Sequence, residues 1–174
     1  MHTSPAPRPH WRQPRWLAMA ALSLTLTLAL GAYLAERFRI GIDDQTTHCL
    51  PPYRVWLIDT HDRTPHRGEP FAFRAHDAMQ PWFREGQIVI KRLVGFPGDR
   101  ISVTATQTLV NGQGVGEGLE LAGKLQRPED DFVREETVPA GHYWMMGGTR
   151  NSFDARYWGA LGGDRIVGRG YGLW

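Results

Sequence analysis

From Trp16 to Ala35 the chain carries no charged side chain, and this run limits what the rest can be. As a helix rising about 1.5 Å per residue it reaches roughly the 30 Å of a hydrocarbon core. Trp16 and Tyr33 fall where interfacial aromatics sit. Residues 1–15 are Pro-rich and carry Arg8, Arg12 and Arg15 without an acid, the composition of a disordered arm held in the cytoplasm. A cleaved secretory signal is the rival reading. Its apolar core is normally shorter, and the small-x-small cleavage pattern is poorly met by Tyr33 and Ala35 and only passably by Ala29 and Gly31. The expected organisation is therefore an arm over 1–15, a retained single-pass anchor over 16–35 in the inner membrane, and a periplasmic body over 36–174.

The body is large enough for one real core. The net charge is +2, so no basic face for nucleic acid is expected. The 20 glycines and 12 prolines favour short strands and turns over long helices. Cys49 is the single cysteine, so no intrachain disulfide can form. With no His-Glu-x-x-His and no cysteine cluster, neither a metal nor another cofactor is expected.

In chain order, residues 36–48 read as a polar connector. Strands are expected at Arg54–Asp59, Phe71–Arg74, Arg100–Val103 and Thr108–Val110, with Asn111-Gly112 as a hairpin turn into Gln113–Val115. Pro81-Trp82-Phe83 is an apolar spot that rims a groove or touches the membrane. Residues 116–131, rich in glycine and charge, read as an exposed insertion. A turn at 137–141 leads into His142–Met146, and a last strand covers Asp164–Arg169. So many short strands predict an all-β, antiparallel body, a small barrel or sandwich.

Two stretches carry chemistry. Ile88–Asp99 reads Ile-Val-Ile-Lys-Arg-Leu-Val-Gly-Phe-Pro-Gly-Asp, a buried strand closed by a tight turn. Lys91 sits in its middle. Burying a charged ammonium is costly, and a neutral lysine amine is a general base. The bland alternative puts Lys91 on a solvated face with its stem snorkelling. Arg92 should point the opposite way. Two prolines follow Cys49 and Leu50, so the thiol is presented on a stiff turn at a strand mouth.

An anchor, a small nucleophile-type residue outside it, the Lys91 segment, and Gly147-Gly-Thr-Arg-Asn-Ser-Phe-Asp-Ala-Arg156 stand in one order. This resembles the type I signal peptidase family, whose chemistry uses a Ser–Lys dyad, over residues 16–170. The short body and Leu50-Pro51-Pro52-Tyr53 look most like its conjugative-transfer branch, which processes pilin precursors. Two departures stand out. The family serine falls at Cys49, followed by Leu50 instead of methionine. The loop before Asn151 is shorter by about one residue and lacks the usual acid.

The resemblance implies roles. Cys49 would attack, with Lys91 as base and then acid. The Cys49 N–H and the Thr47 hydroxyl would hold the oxyanion. Ser152 would orient Lys91, while Asp154 and Arg156 would hold the last loop against the core. Phe71, Phe73, Ile88 and Ile90 are candidate walls of shallow pockets for small side chains before the cut, reached by adding the substrate as a strand. The implied partners are precursor proteins, the lipid bilayer and subunits of a conjugation apparatus. From another class comes a catalytically inactive assembly subunit that keeps the fold, with Cys49 as a relic. A Cys–His peptidase is the catalytic rival, but His48 abuts Cys49 on an extended chain and points away, and His142 lies in a turn. A self-cleaving repressor lacks the anchor.

Overall fold

The computed structural model describes residues 14–43, 45 and 48–174. The expected arm over 1–15 lies outside the described residues up to position 13, and so does Thr47. The chain divides into two compact units at Arg37 and Phe38.

The first unit is helix α1, Pro14–Arg37, with no buried residue. Proline suits the first helical position because its missing N–H has no partner there anyway. α1 is long and apolar enough to cross a bilayer; a signal sequence has the same character. Two of its hydroxyls suit lipid, because Thr25 and Thr27 donate to the carbonyls of Ala21 and Ser23, each at 2.9 Å, so neither hydroxyl proton is left unpaired.

The second unit holds two antiparallel sheets. The larger contains β1 (Phe38–Ile42), β2 (Val55–Asp59), β3 (Pro70–Arg74), β4 (Ile88–Gly95), β9 (His142–Met146), β10 (Leu161–Gly162) and β11 (Ile166–Gly172). Their order is β1-β2-β11-β3-β4-β9-β10. The smaller contains β5 (Arg100–Val103), β6 (Gln107–Val110), β7 (Gln113–Glu117) and β8 (Arg134–Thr137), in the order β7-β6-β5-β8. The sheets share a core, sandwich-fashion. Phe71, Phe73, Leu93 and Trp144 from the larger sheet meet Ile101, Val103 and Val110 from the smaller. Among the described residues no sheet closes into a barrel.

β4 is the hinge of this arrangement. It pairs with β3 and β9 and then turns through Phe96–Asp99 into β5. Asp99 Oδ2 accepts the Phe96 N–H at 2.7 Å and Arg67 Nη2 at 2.8 Å, and Oδ1 accepts Asn111 Nδ2 at 2.7 Å. Burial alone would raise this carboxyl, but those donors outweigh it and hold it below the usual aspartate value. The expected hairpin turn is present, with Asn111 at φ 51° and Gly112 at φ 82°, as a type I′ turn requires.

Two expectations fail in this unit. Residues 38–42 are a strand and not a connector, because Phe38-Arg39-Ile40-Gly41-Ile42 finds β2 as its partner. Residues 116–131 are not simply an exposed insertion. Leu119, Leu121 and Ala122 are buried in the core, and the Leu121 N–H is capped by Tyr157 Oη at 3.1 Å. The surrounding glycines and charges hid three apolar side chains.

Candidate active site

The period of two along β4 sends Val89, Lys91 and Leu93 to the buried face while Ile88 and Arg92 face outward. Lys91 has no exposed surface. Arg92 Nη1 instead reaches the Gly68 carbonyl at 2.8 Å. A fully buried amine needs partners, and Lys91 Nζ has two: Cys49 Sγ at 2.8 Å and Ser152 Oγ at 2.7 Å. Two side chains, 42 positions before and 61 positions after Lys91, thus converge on its nitrogen.

Backbone contacts hold Cys49 and Ser152 in place. The Cys49 carbonyl accepts the Gly148 N–H at 2.7 Å, which ties the Cys49 segment to the loop after β9. That loop folds tightly over Ser152. A Cβ on Gly147 would sit 1.9 Å from Ser152 Oγ, so only glycine allows the approach. Its N–H goes to Asp154 Oδ2 at 3.0 Å.

Asp154 and Arg156 are fully buried. Asp154 caps the short helix α2, Ala155–Trp158, by accepting the Arg156 N–H. Arg156 grips the same carboxylate with two prongs, Nε to Oδ1 at 2.8 Å and Nη2 to Oδ2 at 2.9 Å. Burial pulls the guanidinium down, but the Asp154 carboxylate more than offsets this and leaves it above its usual value. The remaining donors reach the carbonyls of Glu117, Gly118, Thr149 and Ser152. Because one arginine satisfies four loop carbonyls and one carboxylate, the loop has little freedom to move Ser152.

A cleft open to solvent lies beside Cys49. Its walls include Ile40, Ile42, Trp56, Ile58, Ile88 and Ile90. Of the four suggested wall residues, Ile88 and Ile90 line this cleft. Phe71 and Phe73 are not: both have no exposed surface and belong to the core. The register explains this, because Phe71 pairs with Lys91 and Phe73 with Val89, so both rings share the buried face of β4. Phe83 lines the cleft while Trp82 packs on Phe153 at 4.8 Å.

Sequence reasoning missed the contributions of β1, of Trp56 and Ile58, and of Asp43 and Gln45. Gln45 Oε1 lies 3.2 Å from Cys49 Sγ, and Asp43 Oδ2 accepts the Cys49 N–H at 3.2 Å. The alternation of Ile40 and Ile42 was a usable signal for a cleft wall; nothing local marked Asp43. Neither suggested histidine is poised as a base. His142 Nδ1 pairs with the Ala140 carbonyl at 3.0 Å, and His48 Nδ1 lies 3.7 Å from Asp43 Oδ2. Among the described residues no group of three His, Cys, Asp or Glu side chains is close enough to hold a metal.

Residues 13–174 match the family model described as "Signal peptidase, peptidase S26". Three curated relatives bear related names. The "Signal peptidase I" of Leptolyngbya laminosa is 30% identical over 94% of this chain and 81% of its own. The "Probable signal peptidase I-2" of Synechocystis sp. is 32% identical over 90% of this chain and 72% of its own. The "Signal peptidase I" of Pseudomonas aeruginosa is 32% identical over 87% of this chain but only 61% of its own, so the chain spans just under two thirds of that protein.

Proposed function

The chain belongs to the signal peptidase family, peptidase S26, and from that premise we propose that it is a membrane-anchored endopeptidase that removes leader peptides with a Cys49–Lys91 dyad. α1 is the single anchor, its N-terminus cytoplasmic and the body periplasmic. The substrates are exported precursors whose cleavage sites emerge beside the bilayer. The short body and Leu50-Pro51-Pro52-Tyr53 favour pilin precursors of a conjugation apparatus.

The observation that carries the reading is the 2.8 Å approach of Lys91 Nζ to Cys49 Sγ, with Ser152 as the second partner of the amine. The precursor lies extended along the cleft, with small side chains at the first and third residues before the cut against Ile88 and Ile90. Cys49 Sγ attacks the scissile carbonyl carbon as its proton passes to Lys91 Nζ. A thiol eases this step, since sulfur is intrinsically nucleophilic and attacks equally from a thiolate–ammonium pair. The oxyanion takes the Cys49 N–H and, by family resemblance, the Thr47 hydroxyl. Collapse breaks the C–N bond, Lys91 returns the proton to the leaving amine, and a thioester remains. Lys91 then takes a proton from water, which attacks the thioester carbonyl, and returns it to Cys49 Sγ as the C–S bond breaks and the acid is released. Ser152 keeps the amine aimed throughout, and the Asp154–Arg156 pair keeps Ser152 in place.

Precursors encoded beside this chain, incubated with the purified full-length protein, test the reading. Cys49→Ser should keep some cleavage, while Cys49→Ala and Lys91→Ala should abolish it. Full cleavage by Cys49→Ala would end the assignment. Thiol alkylation that is equally fast with and without Lys91 would point instead to the inactive assembly subunit.

A further inference from the structure

The backbone N–H that acyl transfer requires is already engaged by a carboxylate of the same chain. Asp43 Oδ2 accepts the Cys49 N–H at 3.2 Å, and Asp43 Oδ1 accepts the Gln45 N–H at 3.2 Å. Gln45 closes the arrangement, its Oε1 lying 3.2 Å from Cys49 Sγ. Asp43 and Gln45 both line the cleft, where Asp43 is the one carboxylate among the described residues of its walls.

We propose that Asp43 is a resting-state cap on Cys49, occupying the place of the scissile carbonyl oxygen until substrate displaces it. The proposal rests on Cys49 being the nucleophile. Two physical arguments favour a cap over a catalytic aid. One N–H cannot satisfy a carboxylate and a developing oxyanion together, so the contact must break before the tetrahedral intermediate forms. A negative charge beside Cys49 also opposes both a thiolate and an oxyanion, since like charges in a partly buried site repel with little screening.

The local structure lets the cap open without unfolding. Asp43 follows directly on β1, and its own N–H is anchored to the Arg54 carbonyl at 2.8 Å. Rotation about the Cα–Cβ bond therefore suffices to move the carboxylate. His48 Nδ1, buried and without a hydrogen-bond partner among the described residues, stands 3.7 Å from the same oxygen. It supplies a donor for the displaced carboxylate. A substrate lying as an added strand against β1 would bring its carbonyl to the vacated N–H. Leader peptides that bind strongly would open the cap, and an idle enzyme would keep its thiol protected from oxidants and stray acceptors.

The test compares wild type, Asp43→Ala and Asp43→Asn as full-length proteins in detergent. It reads the rate of Cys49 alkylation by iodoacetamide alongside precursor cleavage. Asp43→Ala should be alkylated about tenfold faster, the effect of about one pKa unit when a like charge no longer opposes the thiolate, with a rise in kcat/KM as the Cys49 N–H is freed. Asp43→Asn keeps an acceptor and loses the charge. A gain there assigns the cap to charge, and wild-type behaviour assigns it to the hydrogen bond. Alkylation of Asp43→Ala at or below the wild-type rate, with unchanged thermal unfolding, overturns the cap. Faster alkylation of Asp43→Ala with no cleavage by any of the three leaves the cap standing and removes the peptidase reading. Cleavage by wild type that falls in both variants does the reverse.

Discussion

Lys91 Nζ lies 2.7 Å from Ser152 Oγ, at the base of a loop that closes over the amine. On the proposed mechanism this hydroxyl orients the amine. Ser152→Ala should therefore lower kcat by about tenfold to a hundredfold with little change in KM, the cost of one strong hydrogen bond to the proposed general base. Steady-state cleavage of a precursor checks this. A change confined to KM would move Ser152 to substrate binding.

Gly147 tests the same geometry from the backbone side. Its missing Cβ makes room for Ser152, which a methyl group would meet at 1.9 Å. Gly147→Ala should reproduce the loss of kcat seen for Ser152→Ala and add a stability cost, read by thermal unfolding. The double variant Gly147→Ala/Ser152→Ala should lose less than the sum of the two, since both act on one contact.

The Asp154–Arg156 pair predicts a large stability effect. Both groups are fully buried, so removing either partner leaves an uncompensated charge. Asp154→Asn and Arg156→Met should each cost about 3–5 kcal/mol by chemical denaturation. Arg156→Lys should not rescue, because an ammonium cannot make the two-pronged contact while reaching four carbonyls.

Asp99 predicts a pH dependence at the turn after β4. Its donors hold the folded-state carboxyl below the ordinary value of 3.8. The folded protein then binds fewer protons than the unfolded chain. The stability this supplies is present above that value and drains away as pH falls through the lower folded one. Asp99→Asn should be less stable at neutral pH and should flatten the acid limb of a stability–pH profile. An unchanged acid limb would contradict it.

Gly95 marks the bulge where β4 leaves β9, and a Cβ there would lie 2.6 Å from Trp144 Cβ. Gly95→Ala should cost about 1–3 kcal/mol by overpacking, seen as a lower Tm.

Much of this was legible in the chain. The apolar run of 16–35, the alternation that buries Lys91 and exposes Arg92, and the Asn111-Gly112 turn all follow from local rules, since periodicity and turn chemistry depend on near neighbours alone. Motif order was enough to pair Cys49 with Lys91 and Ser152 as candidates. Local rules failed where the outcome depended on a distant partner. Residues 38–42 became a strand only because β2 was there to receive them, and Leu119 and Leu121 were drawn into the core despite polar neighbours. Phe71 and Phe73 went to the core because register with β4, which no local pattern specifies, put them on the face of Lys91. The engagement of the Cys49 N–H by Asp43 belongs to the same class. The residue types were visible in the sequence, but which donor meets which acceptor was decided when the chain closed on itself and buried polar groups had to find partners.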